Sequence, residues 1–114
     1  MSKRQWTIDA QPDIKALVTL RTTAEGGRRT PALSGYRPQH GVKENYLTSG
    51  IHNYLSDGVL LPGESSLALI TFLAPEHYPH CLWVGKVLSV QEGSRVVGHA
   101  EVIEIYNDLL RALR

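Results

Sequence analysis

Arginines and glycines crowd one short stretch of the chain, Glu25–Gln39. Its fifteen residues include three glycines, two prolines, three arginines and one tyrosine. An arginine on a glycine-rich loop is a good phosphate ligand, because its planar guanidinium forms paired hydrogen bonds and its charge displaces counterions. Between Arg21 and Lys43 the chain has five basic residues and one acidic residue. This pattern predicts a loop that makes contacts with phosphate groups rather than one that performs catalysis.

The same stretch also admits a purely structural interpretation. Arg28 or Arg37 could be tied to Glu25 or Glu92, so that the turn serves only the geometry of the fold. Tyr36 would then be a half-buried anchor. The two interpretations differ in whether the guanidinium groups are free to meet a ligand.

A second cluster, Glu76–Cys81, places one carboxylate, two imidazoles and a thiol within six residues. Such groups can bind zinc, but their spacing matches no standard site, and Pro79 stiffens the segment between the ligands. We therefore expect no metal here. His77 and Tyr78 could instead be recognition residues on an enlarged loop.

Catalytic signatures are weak in this sequence. Ser65 or Ser66 could be combined with His77 and Asp57 as a triad, but no nucleophile elbow supports that arrangement. The glycine-rich phosphate loop of GTPases is absent from the printed sequence, so we expect no GTP binding. The sequence predicts a protein that is not an enzyme and has no cofactor.

Six segments have the alternation or the length of β-strands, and turn residues separate them. The most regular are the first, where Ile14, Ala16, Val18 and Leu20 share one face, and the last. No helical period interrupts them, which indicates an all-β barrel or sandwich. The six segments are Ile14–Thr22, Gly35–Lys43, Gly50–Leu55, Ser66–Leu73, Leu82–Val90 and Arg95–Ile105.

The two ends of the chain differ from this central part. Residues 1–12 are expected to form an arm that Trp6 and Ile8 pin to the body. Residues 106–114 are expected to form a short helix, since Asn107 can cap it and charges near its ends suit the helix dipole. Its leucine stripe must pack either on the barrel or on a second chain, because a helix this short is not stable alone.

Length and charge narrow the class of protein. A chain of 114 residues fits one domain, and a formal net charge of +1 gives no global signal for a polyanionic partner. The one cysteine, Cys81, excludes an internal disulfide and fits a reducing compartment. We find no secretory signal and no apolar run long enough for a membrane span, so we expect a cytoplasmic protein with no membrane contact.

Three motifs in this order resemble the C-terminal β-barrel domain of elongation factor Tu. The stretch Glu25–Gln39 matches the pattern EGGRxTPxxxGYRPQ of that family. Glu92–Gly98 is similar to its EGGRTVG, and Leu61–Glu64 is similar to its MPGD. The resemblance covers roughly Ile14 to Ile105. It implies a six-stranded antiparallel β-barrel over residues 13–105, between the arm at 1–12 and the helix at 106–114.

The resemblance also implies a set of binding residues. In the family, one surface grips the T-stem backbone of transfer RNA, and the edge containing Tyr36 and Arg37 faces the GTPase domain. The residues of this chain that match the first surface are Arg28, Arg29, Gln39, Ser49, Glu92 and Gly93. Because no GTPase domain accompanies them, we expect a binding module. Its partner would be a translation-related protein or a second copy of the chain, and the alternative is RNA.

Overall fold

The structure, a computed structural model, describes residues 5–113. Six strands form a closed antiparallel barrel in the order β1-β6-β4-β3-β7-β8, and β2 pairs with β5 in a separate two-stranded sheet. The strands are β1 Ile14–Leu20, β2 Ala32–Leu33, β3 Gln39–Lys43, β4 Tyr46–Tyr54, β5 Val59–Leu60, β6 Ser65–Phe72, β7 Val87–Glu92 and β8 Arg95–Ile105. The predicted six-stranded β-barrel is confirmed.

Alternation along each strand creates the core. In β1 every second residue is buried, and the same alternation holds for most of β6 and for the middle of β8. Strand side chains point to opposite faces in turn, so a period of two places one set inside the barrel and the other outside. The fully buried members of the core include Ile14, Ala16, Val18, Leu20, Ala68, Ile70, Phe72, Leu88, Val90, Ala100 and Val102.

Several strand boundaries differ from those predicted. β3 begins only at Gln39, because the four residues before it form an irregular loop whose Gly35 has a φ of 101°. β4 begins at Tyr46 and pairs with β3 as a hairpin. β7 begins at Val87, after a turn that uses the first half of the predicted strand. The pairing between strands sets these boundaries. The strand propensity of each segment does not determine them by itself.

Barrel closure depends on the first and last strands. β1 pairs with β6 on one side and with β8 on the other, with a bulge opposite Lys15 and Ala16. At Gly98 an added Cβ would lie 2.3 Å from the carbonyl oxygen of Thr19. Only glycine allows β8 to approach β1 this closely.

The N-terminal arm lies against the outside of β4 and β6. Trp6 donates an indole hydrogen bond of 2.9 Å to the carbonyl oxygen of Thr71. Ile8 lines a small space together with Ile51 and Leu69, two side chains that point outward from the barrel. Ile51 is nevertheless only 1% exposed. The arm therefore acts as a strap over this part of the sheet, as expected for Trp6 and Ile8.

The C-terminal end forms a single 3-10 turn, Asp108–Leu110, rather than a helix over residues 106–114. Asn107 caps it, since its side chain accepts a hydrogen bond from the Leu109 amide. Beyond the turn, Arg111 is in extended conformation and forms a parallel bridge with Leu82. Leu110 is fully buried in the core of the same chain. The leucine stripe was predicted to pack either on the barrel or on a second chain. Leu110 packs on the barrel.

Candidate binding face

The loop after β1 is held by a capping box. The Thr22 amide donates to the Glu25 carboxylate at 3.0 Å, and the Glu25 amide donates to the Thr22 hydroxyl at 3.2 Å. The hydrogen bonds that the Thr22 amide and the Thr22 hydroxyl donate to this carboxylate are the leading causes of a lowered pKa for Glu25. Glu25 therefore stabilises its own 3-10 turn, Thr23–Glu25, and is not the partner of Arg28 or Arg37.

The two glycines that follow have different tasks. Gly26 has a φ of 93°, the left-handed conformation that ends the 3-10 turn. Gly27 does not have a positive φ. An added Cβ at Gly27 would lie 2.4 Å from the carbonyl oxygen of Arg21. Gly27 is required by the close approach of two backbone segments.

Arg28 is engaged within the chain. Its guanidinium forms an ion pair with Glu92 and lies 4.5 Å from the centre of the Tyr36 ring. It also donates to the carbonyl oxygens of Thr30 and Pro31, each at 3.2 Å. Burial alone would lower the pKa of Arg28, but the hydrogen bonds with Glu92 and Tyr36 outweigh it and leave the pKa raised. The structural interpretation with Glu92 as partner applies to Arg28.

Glu92 is the centre of this cluster. Its carboxylate accepts hydrogen bonds from the Tyr36 hydroxyl at 2.6 Å, from Arg28, and from Arg95 at 3.0 Å. Burial alone would raise the pKa of Glu92, but these donors outweigh it and lower the pKa. The pKa of Tyr36 is raised, first by burial and then by its bond to the carboxylate. Tyr36 is thus an anchor, and the predicted site residues Arg28, Tyr36 and Glu92 meet in space.

The other arginines near Glu92 are more exposed. Arg29 follows Arg28 in the chain, and within residues 5–113 its side chain has no hydrogen bond or ion pair. Arg21 is exposed, and its guanidinium donates to the carbonyl oxygen of Val96 at 3.2 Å. We call Arg21, Arg28, Arg29, Glu92 and Arg95 the arginine face. Its four arginines outnumber Glu92 and the Glu25 carboxylate that interacts with Arg21, so it is locally basic.

Two more predicted residues lie side by side on the outer surface of the barrel. Gln39 on β3 is directly opposite Ser49 on β4 and, on its other side, opposite Gln91 on β7. Gly93 follows β7 and has a φ of 62°, as needed for the tight turn to β8. Gln91 donates to the carbonyl oxygen of Gly93 at 3.1 Å. The structure thus connects Gln39, Ser49 and Gly93 to the strand that carries Glu92.

Arg37 points away from this group. Its guanidinium lies 4.8 Å from the centre of the Trp6 ring, so it stacks on the N-terminal arm. Neither Glu25 nor Glu92 is its partner. Arg37 is exposed at the arm, and the structure does not place it with the arginine face.

A rigid apolar turn was missed at the sequence level. Trp83–Lys86, which we call the tryptophan turn, closes with a hydrogen bond of 3.1 Å from the Lys86 amide to the Trp83 carbonyl oxygen. Gly85 has a φ of 96°. Trp83 and Val84 are 52% and 60% exposed, and Val87 beyond the turn is 58% exposed. The sequence Trp-Val-Gly-Lys could have predicted this turn, because glycine at the third position is typical of a type II turn.

Two buried histidines were also missed. His40 on β3 and His52 on β4 both point into the barrel and are 0% exposed. Their Nε2 atoms are 2.8 Å apart, and His52 Nδ1 is 2.9 Å from the Tyr54 hydroxyl. The alternation of Gly50, His52 and Tyr54 on the inner face could have revealed them. We call His40, His52 and Tyr54 the histidine chain.

The side chains of the Glu76–Cys81 cluster do not come together in the fold. Tyr78 is buried in the core, whereas His77 and His80 are exposed. His80 Nδ1 is 3.0 Å from the carbonyl oxygen of Arg111. Burial raises the pKa of the Cys81 thiol, which makes it a poor nucleophile at neutral pH. Within residues 5–113 no three side chains of His, Cys, Asp or Glu are grouped to hold a metal ion.

Comparison with models of known protein families found no match for this chain. The resemblance to elongation factor Tu therefore stays a prediction from the motifs. In the part of the chain that the structure describes, no helix has the length and apolar character needed to cross a bilayer.

Proposed function

We propose that this protein is a non-enzymatic binding module whose partner is another protein, in a process linked to translation. The link to translation comes from the resemblance of its motifs to elongation factor Tu. Support for a protein partner comes from the tryptophan turn and from Val87 directly after it, which together present three apolar side chains that are each more than half exposed. Clustered exposed apolar groups mark interaction sites, and tryptophan is enriched at their centres.

The tryptophan turn is held in place before any partner arrives. Lys86 donates from its ammonium group to the carbonyl oxygens of Val42 and Cys81, at 2.5 and 2.6 Å. The same ammonium lies 4.5 Å from the centre of the Trp83 ring. The Gly85 amide donates to the carbonyl oxygen of Val102 at 2.8 Å. A turn that is already ordered loses little entropy on binding, so it suits a partner surface with an apolar pocket for the indole.

Affinity capture from lysate, with and without nuclease, tests this proposal. We expect nuclease-resistant protein partners that are lost in Val84→Asp, because a carboxylate at the tip of the turn cannot enter an apolar pocket. Leu55→Asp is the matched control, since Leu55, like Val84, is an exposed aliphatic residue in a turn. Both variants must keep the urea midpoint of the parent.

Capture by Val84→Asp that equals capture by Leu55→Asp would contradict the proposed surface. Light scattering of the purified protein separates a second copy from a different partner. A dimer that Val84→Asp dissociates would assign the turn to self-association. Partners that disappear with nuclease would favour the RNA alternative instead.

The second candidate function is binding to an RNA backbone. The arginine face favours it, because Arg21, Arg29 and Arg95 are exposed and the arginines outnumber the carboxylates of Glu25 and Glu92 beside them. Gln39 and Ser49 add polar groups on the adjoining strands. Phosphate contacts of this kind are weak and fall steeply with salt.

Transfer RNA binding measured over a range of salt concentrations tests this second candidate. Arg29→Ala should flatten the log–log salt slope by roughly 0.7–0.9, the value for one lost phosphate contact. Lys43→Ala is the matched control, because it removes the same charge from the opposite end of β3. Equal slopes for the two variants, or no binding at low salt, would reject the RNA interpretation.

A further inference from the structure

The interior of the barrel contains a continuous chain of polar groups. This chain of groups begins at the carbonyl oxygen of Thr48, which lies 3.3 Å from His40 Nδ1. His40 Nε2 then meets His52 Nε2 at 2.8 Å, and His52 Nδ1 meets the Tyr54 hydroxyl at 2.9 Å. Every ring nitrogen of the pair therefore has a partner, although both residues are completely buried.

Two neutral rings satisfy this chain in only one arrangement of protons. The Thr48 carbonyl can only accept, so His40 Nδ1 must carry the hydrogen, and His40 Nε2 accepts because a neutral imidazole has one N–H. His52 Nε2 must then donate, which leaves His52 Nδ1 to accept from the Tyr54 hydroxyl. With one added proton the hydrogen bonds can still form, because the Tyr54 oxygen can also accept, but the pair then carries a completely buried positive charge. A second proton would place two N–H donors against each other between His40 and His52.

The surroundings offer no compensation for a charge. The Phe72 ring on β6 packs edge-on against His40 at 5.5 Å, and the Tyr36 ring, from the loop before β3, packs edge-on against His52 at 5.7 Å. β7 contributes the buried apolar residue Val90 opposite His40. Within residues 5–113 neither imidazole has a carboxylate as a hydrogen-bond partner.

The ionisable groups that face the pair do not help it either. They are the hydroxyls of Tyr36 and Tyr54, and beyond Tyr36 the Arg28–Glu92 ion pair, whose charges already satisfy each other. Burial lowers the pKa of His40 to about 4. Burial, and then the neighbouring His40, lower the pKa of His52 well below its usual value.

The histidine chain is connected to the arginine face through Tyr36. The His52 amide donates to the Tyr36 carbonyl oxygen at 2.9 Å, and the Gly35 amide donates to the His52 carbonyl oxygen at 2.8 Å. The hydroxyl of Tyr36 in turn donates to Glu92 at 2.6 Å. A shift of His52 is therefore transmitted to the loop that positions Glu92 and Arg28.

We propose that the histidine chain is an acid-sensitive latch that holds the Tyr36 loop on the barrel and, through it, the arginine face. Protonation of the pair places a positive charge in the barrel interior, where within residues 5–113 neither ring has a carboxylate as a hydrogen-bond partner. The closed form is fully stable above the pKa of a free imidazole, about 6.5. Below it, the opened or unfolded form takes up protons that the closed form excludes, so opening becomes more favourable as the pH falls.

Histidine-selective ¹H–¹⁵N NMR spectra from pH 7.5 to 4.5 test the latch directly. We expect two neutral rings of opposite tautomer, with the hydrogen on Nδ1 of His40 and on Nε2 of His52. Both should stay neutral in the folded protein as the pH passes through 6.5. A folded-state ring that titrates near 6.5, or two identical tautomers, would overturn the proposal.

Urea unfolding as a function of pH gives the energetic test. Each proton taken up on unfolding raises the unfolding equilibrium constant up to about tenfold per pH unit, so two give up to about a hundredfold. We expect the variant His40→Phe/His52→Leu/Tyr54→Phe to lose this part of the pH dependence below pH 6.5. Its side chains replace the three polar side chains of the chain by apolar groups of similar size.

His99→Gln is the matched control, because His99 on β8 is exposed, and it should keep the parent's pH dependence. Hydrogen exchange at residues 34–38 reads the loop itself. The parent should lose protection there between pH 7 and pH 5, after correction for intrinsic rates, and the apolar variant should not. A pH dependence shared by the parent and the apolar variant would refute the latch. If the apolar variant does not fold, the NMR spectra of the parent decide the question.

Discussion

At the scale of single residues, one carboxylate decides which arginine is free. Glu92 collects hydrogen bonds from Tyr36, Arg28 and Arg95, whereas Arg29 beside them has no such partner in residues 5–113. Two adjacent arginines thus have opposite roles. Arg28 stabilises the loop, and Arg29 is available to a ligand.

Alanine substitution should separate these two roles. Arg28→Ala should lower the free energy of unfolding by about 2 kcal/mol, because it removes charge-assisted hydrogen bonds from a partly buried Glu92. Arg29→Ala should change it by less than about 0.5 kcal/mol, as is usual for an exposed side chain. Urea unfolding at pH 7 measures both. Equal losses of stability in the two variants would contradict this division.

At the scale of elements, the loop between β1 and β2 combines a capping box with two unlike glycines. The capping box begins a 3-10 turn that ends at Gly26, whose left-handed conformation turns the chain. Gly27 then passes against the backbone of Arg21, in the space that a side chain would occupy. The position of the arginine face follows from this crossing.

Alanine at these glycines should reveal the difference. Gly26→Ala should cost about 1 kcal/mol, the usual penalty for a left-handed residue with a side chain, since no atom lies within 4 Å of the added Cβ. Gly27→Ala should cost more than about 2 kcal/mol, because a contact of 2.4 Å with a backbone oxygen forces the loop to move. Thermal unfolding measures both. The reverse order would disprove the steric assignment of Gly27.

At the scale of the whole molecule, closure of the barrel pairs the edges of the sheet, and the N-terminal arm covers part of its outer surface. Pairing of β1 with β8 closes the barrel and removes the two edges that these strands would otherwise expose. The arm covers the outer surface around Ile51 and Thr71 instead. The arm lies outside the closed barrel, so it can open without unfolding the core.

Trp6→Ala tests the arm. Loss of the hydrogen bond to Thr71 and of stacking with Arg37 should speed hydrogen exchange in residues 5–12, while the amides of β1 and β8 keep their protection. Trp83→Ala, which removes the other tryptophan, should leave exchange in the arm unchanged. Loss of protection throughout the barrel in Trp6→Ala would show that the arm is part of the cooperative core.

Much of the fold could be predicted from local patterns. The bounds predicted for β8, Arg95–Ile105, match the structure, and those for β6 differ by one residue at each end. Alternation with a period of two is a property of neighbouring residues, so it is readable in the sequence. The start of the C-terminal 3-10 turn was also readable, because Asn107 is a good cap, although the turn does not extend into a helix over residues 106–114.

The tertiary structure alone decided which side chains meet. Arg28 and Glu92 are 64 residues apart in the chain, and only the pairing of β7 with β3 and β8 brings that carboxylate to the loop. His40 and His52 become partners because of the register between β3 and β4 and because both face inward. The sequence by itself determined strands, turns and a surplus of arginine. Closure of the barrel decided which of those charges is neutralised, because register depends on contacts between residues that are distant in the chain.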